Sequence, residues 1–201
     1  MSDLRSRRKA EMAQVIQQAT IDLSRDYGFD AITTEMISQQ AGISARTFFN
    51  YYANKEAALF GQVPFLTDEI CRTLVPGSGF LADDLYQLLR AMMMRAVPRK
   101  AELAIIVPAL QTQPKVLKVY MAERAAMSER LAQMLEDRLP ESTQLFRAVL
   151  AEMLMSASWN GIMAWLENRV TSDMALEQGW RAICEIAQLF VGPEAPGPSS
   201  P

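Results

Sequence analysis

Apolar residues in the first third of the chain recur at intervals typical of a helix. Their spacing of three or four residues predicts a first helix from about Arg8 to Tyr27, which Gly28 ends. The polar and basic residues 1–9 precede most of this pattern and are expected to stay mobile. The apolar stripe consists of Met12, Ile16, Ala19, Leu23 and Tyr27.

Residues 33–55 have the pattern of short helices separated by tight turns. Thr33 is suited to cap the first of them, because its hydroxyl can accept a hydrogen bond from an amide of the first turn. Gly42 follows where the chain must leave that helix with a positive φ, which glycine adopts without steric cost. Ser44 then caps a second short helix, which is predicted over Ala45–Tyr52.

The second short helix carries the side chains that read base edges in the major groove of DNA. Arg46 is suited to guanine, Asn50 to adenine and the Thr47 methyl group to thymine. A third helix, capped by Asn54, begins at Lys55, where a cation opposes the helix dipole and so indicates a nearby anion such as phosphate. The alternative is an ordinary helical hairpin with a solvated face. The predicted DNA contacts are Thr33, Ser44, Ala45, Arg46, Thr47, Asn50, Tyr51 and Lys55.

The rest of the chain has neither the alternation typical of strands nor a Gly-rich phosphate loop, so an all-α fold is predicted. Pro64 interrupts the helix that follows Lys55. Residues 192–201 are rich in Pro, Gly and Ser and are predicted to be a disordered tail. The remaining long helices are predicted at about Leu81–Val97, Lys100–Ala109, Pro114–Leu139, Ser142–Asn168 and Ser172–Phe190.

The predicted helix Ser142–Asn168 is apolar nearly all round between Phe146 and Leu166. One face can pack on its own domain, whereas the rest needs another cover. The last helix, with Trp180 and Phe190, is its natural companion, and two helices from each of two subunits would form a four-helix bundle. We therefore predict a homodimer through the last two long helices. The alternative is a purely intramolecular core.

Methionine is frequent, with 13 residues in 201. Its flexible side chain fills irregular gaps and lines cavities that accept varied apolar molecules, although it is more often simply part of the core. A small hydrophobic effector is predicted on this basis, and no motif identifies it. The candidate ligand-binding residues are Met93, Tyr120, Trp159, Asn160 and Met163.

Composition limits the chemistry that the chain can perform. It has no histidine, which excludes a Ser-His-Asp or Cys-His mechanism and removes the commonest metal ligand. Cys71 and Cys184 lack the paired spacing of a metal site. No catalytic residue, metal or cofactor is therefore predicted. The two cysteines are expected to be buried and reduced, with redox sensing as the alternative.

Charge is unevenly distributed along the chain, whose net charge is −3. The first 60 residues hold 7 basic and 7 acidic side chains, and the other 141 hold 13 and 16. Four basic residues, Arg5, Arg7, Arg8 and Lys9, form either an arm for the phosphate backbone or a solvated helix start. Neither a signal peptide nor a membrane-spanning run is present in the sequence, and a cytoplasmic location is expected.

The segment Ile16–Phe60 resembles the N-terminal domain of the TetR family of bacterial transcriptional regulators. The matching points include AGIS at residues 41–44, TFFNYY at residues 47–52 and the pair Lys55-Glu56, and the intervals agree without a gap. Phe49 stands where members most often carry a tyrosine whose hydroxyl contacts a phosphate. Ser24 and Thr34 also depart from the family pattern, where an aromatic and an aliphatic residue are usual.

The resemblance implies a helix-turn-helix DNA-binding domain at residues 1–54 and a helical ligand-binding and dimerisation domain at residues 55–191. It also implies a dimer that binds a palindromic operator, most simply as a repressor that a small apolar effector releases. An activator of the same family remains an alternative, because the operator's position relative to a promoter decides this. Two further alternatives remain. One is a helical enzyme that acts on an apolar substrate. The other is a protein-interaction module that keeps the helix-turn-helix domain, here called the head, without reading DNA.

Overall fold

The predicted all-α fold is confirmed by the computed structural model, which describes residues 2–61 and 79–189, with side chains from residue 7 onward. Within these ranges the chain forms helices and contains no strand. Its α-helices are α1 Ser2–Tyr27, α2 Thr34–Gln40, α3 Ala45–Phe49, α4 Lys55–Phe60, α5 Leu81–Ala96, α6 Lys100–Thr112, α7 Pro114–Arg138, α8 Gln144–Leu166 and α9 Ser172–Leu189.

Three predicted helix boundaries were wrong. The first helix begins at Ser2 and not near Arg8, so the basic start is helical, which ion pairs one turn apart such as Arg7 with Glu11 (3.2 Å) favour. Helix α3 stops at Phe49, because the amides of Asn50 and Tyr51 bond three residues back and form a turn. Helix α6 passes through Pro108 and extends to Thr112.

The remaining boundaries agree more closely with the predicted ones. Helix α8 starts two residues later than expected, because the Thr143 hydroxyl accepts a hydrogen bond from the Phe146 amide at 3.1 Å and so caps it. Pro64, Cys71, Phe190 and the predicted tail lie outside the described residues. None of the helices in the described ranges is long and apolar enough to cross a bilayer.

Contacts divide the described chain into two compact units. The first contains residues 2–61 and 99–125, and the second contains residues 79–98 and 126–189. The predicted domain boundary after Asn54 remains a prediction. In the first unit, helices α1 to α4 enclose a core of buried residues: Ala13, Ile16, Ala19, Leu23, Ile32, Ile37, Phe48, Tyr52 and Ala58.

The second unit is built around α8, which packs on α5 and α9. Helices α8 and α9 approach closely at two glycines. A Cβ atom on Gly161 would lie 3.1 Å from the Ala175 carbonyl oxygen, and one on Gly179 would lie 3.3 Å from the Ala157 oxygen. The buried core contains Leu85, Leu88, Leu89, Met92, Leu131, Leu135, Ala151, Leu154, Met155, Leu176 and Ile183.

Candidate nucleic-acid interface

The turn between α2 and α3 has the geometry that the sequence predicts. The Thr33 hydroxyl accepts a hydrogen bond from the Met36 amide at 3.3 Å and caps α2. Gly42 adopts a φ of 68° after the helix, and its amide bonds to the Gln39 carbonyl. The Ile43 amide then bonds to the Ser38 carbonyl at 2.9 Å, which completes a Schellman motif. This turn fixes the direction in which α3 starts.

Helix α3 is short, and its position depends on its cap and two buried rings. The Ser44 hydroxyl accepts from the Thr47 amide at 3.0 Å and lies 2.8 Å from the Thr47 hydroxyl. Phe48 is fully buried in the head core. Tyr52, also buried, donates its hydroxyl hydrogen to the Ala13 carbonyl of α1 at 3.0 Å. These contacts anchor one side of α3 and leave the opposite side in solvent.

The outward side of α3 presents the predicted base-reading residues. Arg46 and Asn50 are exposed, and neither side chain has a partner among the described residues. Thr47 and Ala45 are half-buried at the edge of this face. Tyr51 is also half-buried and packs against the head core, so only part of its ring is available to a ligand.

Phe49 joins this face, although it is absent from the predicted contacts. Its side chain is 54% exposed, and its ring meets Phe48 edge-on with centroids 5.3 Å apart. An exposed aromatic ring beside Arg46 and Asn50 is suited to apolar contact with a thymine methyl group. The signal for it was the adjacent pair of phenylalanines, since only one of two neighbouring helical side chains can face the core.

Lys55 has an environment that the sequence did not predict. Its ammonium donates hydrogen bonds to the carbonyl oxygens of Phe29 and Ile32, both at 2.9 Å, and to that of Asp30 at 3.3 Å. It also lies 4.7 Å from the centre of the Phe29 ring. Three backbone carbonyl dipoles thus surround the Lys55 ammonium, where the sequence had suggested a nearby anion. The predicted contact of Lys55 with a DNA phosphate remains a prediction.

The start of α2 carries a negative charge beside Thr33. The Glu35 backbone amide and then the Thr33 hydroxyl donate to the Glu35 carboxylate, and these bonds hold its pKa below the usual value of 4.5. The Thr34 hydroxyl adds a weaker bond at 3.3 Å, whereas desolvation opposes the shift. Glu35 therefore places a negative charge beside the hydroxyl that was predicted to bind a phosphate.

Comparisons with known proteins agree with this geometry. Residues 16–62 match the family of bacterial regulatory proteins, tetR family. The uncharacterized HTH-type transcriptional regulator YdeS of Bacillus subtilis is 32% identical over 72 residues. Those residues cover 36% of this chain and 35% of YdeS, so the match spans about a third of that relative. Residues 16–62 are thus similar to the N-terminal domain of the tetR family.

Solved structures share the fold over most of the chain. A candidate TetR-family transcriptional regulator from Syntrophomonas wolfei has a TM-score of 0.68 at 14% identity, covering 91% of this chain and 98% of its own. Thermus thermophilus FadR, a TetR-family transcriptional repressor in complex with lauroyl-CoA, has a TM-score of 0.60 at 23% identity, covering 94% and 100%. At such identities the likeness shows the fold. The family match over residues 16–62 favours a regulator over the helical-enzyme alternative.

The predicted ligand-binding residues of this chain are dispersed. Tyr120 lies in the first unit, where its ring is 5.7 Å from that of Phe60. Met93 is buried in the second unit, whereas Asn160 is exposed and donates to the Ser156 carbonyl at 2.9 Å. Trp159 and Met163 are half-buried one helical turn apart. Their role in ligand binding remains a prediction.

A groove of about 660 Å³ runs along α8 and α9 on the surface of the second unit. Of the five predicted ligand-binding residues, Asn160 is the one that lines it. Its lining is dominated by small and apolar side chains: Ala148, Val149, Met153, Ala157, Gly161, Ala164, Ala175, Gly179, Ala182, Ile183 and Ile186. Phe146 and Val149, both just over half exposed, lie at the start of α8.

The described residues contain no group of three acidic or cysteine side chains that could hold a metal.

Proposed function

We propose that this protein is a transcriptional regulator, most simply a repressor, that binds a palindromic DNA operator as a dimer. The observation that carries the proposal is the outward side of α3. Arg46 and Asn50 stand exposed and without side-chain partners there, on a helix fixed by the Ser44 cap and the buried Phe48. Side chains that can form bidentate bonds to guanine and adenine supply sequence specificity.

The backbone contacts would come from residues around this helix. Ser44 and Thr33 are exposed hydroxyls at the starts of α3 and α2, where the helix dipole favours a phosphate. Ser44 is the better placed of the two, because α3 has no acidic residue in its first turn, whereas α2 has Glu35. Arg8 and Lys9 are exposed on α1 and have no ion-pair partner among the described residues, so they remain available to a phosphate backbone. The first 60 residues have no net charge, and DNA binding requires local positive charge, which these two cations provide.

A dimer through α8 and α9 is supported by the apolar surface that one copy leaves uncovered. Phe146, Val149 and Ile186 are 53%, 52% and 41% exposed, and the groove beside them is lined mainly by small side chains that allow close helix approach. A second copy related by a two-fold axis would cover this surface with the same residues. The two heads would then meet half-sites spaced by about one DNA turn or a multiple of it.

The effector is proposed to be a small, largely apolar molecule. Thermus thermophilus FadR, which shares the fold, is in complex with lauroyl-CoA. An effector that weakens operator binding a hundredfold needs about 2.7 kcal/mol of differential affinity for the two states of the protein. One apolar chain that fills a pocket supplies this amount, since each buried methylene contributes about 0.8 kcal/mol.

Selection of bound duplexes from a random DNA pool tests the proposal. The parent protein is expected to enrich a palindrome, whereas Arg46→Ala should lose the preference at one base pair of each half-site, a change of about 1 to 3 kcal/mol. Gln87→Ala, which removes an exposed amide from α5, serves as the control and should select the parental palindrome. Failure of the parent to enrich any sequence at low salt would count against operator binding.

Two further measurements on the selected duplex separate the finer parts of the proposal. Adding lauroyl-CoA should release the protein if an acyl chain is the effector, and extraction of any co-purified small molecule covers other apolar ligands. Placing the duplex across a promoter in a reporter strain distinguishes repression from activation. Increased transcription in the presence of the protein would favour the activator.

A further inference from the structure

We infer that Lys55 is a positioning residue, which holds the loop between α1 and α2 in place and does not neutralise a DNA phosphate. The inference rests on the proposed DNA binding, because that loop leads directly into the Thr33 cap of α2. The observation behind it is the set of three carbonyl oxygens, from Phe29, Asp30 and Ile32, that surround the ammonium group.

The number of hydrogens on the Lys55 ammonium distinguishes a positioning role from a phosphate contact. A lysine ammonium has three hydrogens and no acceptor, and in this structure three carbonyls take all three. The face of the Phe29 ring, 4.7 Å away, adds a cation–π contact. A phosphate oxygen would therefore have to displace one of these partners.

The three carbonyl groups have no other hydrogen-bond donor within the described backbone. No backbone amide among the described residues donates to the carbonyl of Phe29, Asp30 or Ile32, although Ile32 itself is buried. Carbonyl groups left unpaired in such a place destabilise the fold. The convergence of three dipoles also explains how a cation is tolerated in the first turn of α4, where the helix dipole alone would oppose it.

The same loop is held from a second side. The Asp30 carboxylate accepts a hydrogen bond from the Gln113 amide at 2.9 Å, and both residues belong to the first compact unit. Thr33, the cap of α2, follows Ile32 directly. The position of this loop therefore fixes the start of α2, and the Gly42 turn then fixes the start of α3. Lys55 acts on DNA recognition through these elements.

The slope of log affinity against log salt concentration distinguishes the two roles. A phosphate contact contributes about 0.9 to that slope in duplex DNA. Lys55→Met keeps the aliphatic stem and removes the charge; its slope should equal that of the parent, while affinity for the selected duplex falls several-fold. Lys9→Met removes an exposed cation of α1 that is proposed to contact the phosphate backbone. It is the matched control and should lower the slope by about 0.9.

Lys55→Arg supplies a second variant that keeps the charge. A planar guanidinium suits a phosphate well, but it does not direct three hydrogens at three converging carbonyls. Amide hydrogen exchange of residues 29–36 in the free protein should therefore be faster than in the parent for both Lys55→Arg and Lys55→Met. A slope lowered by about 0.9 in Lys55→Met, or parental exchange in both variants, overturns the inference. If the parent selects no duplex, the proposed function fails, and the exchange measurement still tests the role of Lys55.

Discussion

The outward side of α3 and the outward side of α8 and α9 both leave side chains uncovered in a single copy of the chain, but with opposite chemistry. Arg46 and Asn50 on α3 are polar and rigidly presented, because a cap and a buried ring fix the short helix beneath them. Phe146 and Val149 on α8 are apolar and lie beside a groove lined mainly by small residues. The first surface suits a charged, hydrogen-bonding partner, and the second suits a copy of itself.

This difference separates two ways in which a sequence encodes a surface. The first depends on a few side chains whose geometry is set by local hydrogen bonds, so single changes of chemistry should abolish it. The second depends on area and shape, so it should tolerate apolar exchanges and fail when a charge is buried. The predictions below test whether the two surfaces can be disrupted independently.

The largest effect is expected from removing the ring beneath α3. Phe48 is fully buried, and Phe48→Ala should lower the free energy of unfolding of the head by about 3 to 5 kcal/mol. Operator binding should be lost while dimerisation through α8 and α9 persists, as denaturation, anisotropy and sedimentation would measure. Phe49→Ala is the matched control, because that neighbouring ring is 54% exposed and its loss should cost less than about 0.5 kcal/mol. Equal destabilisation by the two changes would contradict the arrangement of α3.

The converse experiment disrupts the apolar surface and spares the head. Phe146→Glu with Val149→Glu should weaken the proposed dimer at least a hundredfold, about 2.7 kcal/mol, because two carboxylates would have to be buried. Analytical ultracentrifugation measures the association, and the melting of the head should be unchanged. Met94→Glu, at a residue 53% exposed on α5, is the control. A parent protein that stays monomeric at micromolar concentration would remove the basis of this prediction.

Local chemistry explains why much of the head could be predicted from the sequence. Each of the caps Thr33, Ser44 and Asn54 bonds to an amide three residues ahead, and Gly42 takes its positive φ within the turn. Such signals need no knowledge of distant residues. The all-α fold and the similarity of residues 16–62 to the tetR family were accessible for the same reason.

Other features depended on contacts that sequence spacing does not reveal. The partners of Lys55 lie 23 to 26 residues away, so its carbonyl cradle could not be read from the pattern. The helix predicted to end at Ala109 continues to Thr112, and nothing in the residue spacing after Pro108 marks that end. The candidate ligand-binding residues were chosen by type, and residue type does not specify a cavity.

A smaller effect should come from the close crossing of α8 and α9. A Cβ atom on Gly161 would lie 3.1 Å from the Ala175 carbonyl oxygen, so the two helices must separate. That strain, about 1 to 3 kcal/mol, exceeds the helix-propensity gain of up to about 1 kcal/mol, and Gly161→Ala should destabilise the second unit by about 1 kcal/mol. Gly179→Ala has a longer approach of 3.3 Å and should cost less. Urea denaturation followed by tryptophan fluorescence would rank them, and the reverse order would mean that the crossing is set elsewhere.

The smallest effect is a dependence of head stability on pH. Hydrogen bonds at the start of α2 lower the pKa of Glu35 in the folded protein, so its carboxylate stabilises the fold above the unfolded pKa and this contribution is lost as the pH falls through the lower, folded value. Glu35→Gln should therefore unfold at lower urea concentration than the parent at neutral pH. The difference should vanish well below pH 4.5, the usual value for glutamate. Glu177→Gln, an exposed change on α9, should leave the head unaffected at either pH. A gap between Glu35→Gln and the parent that persists in acid would assign the loss to side-chain packing, and the charge at the start of α2 would then play no part in fixing the polar surface.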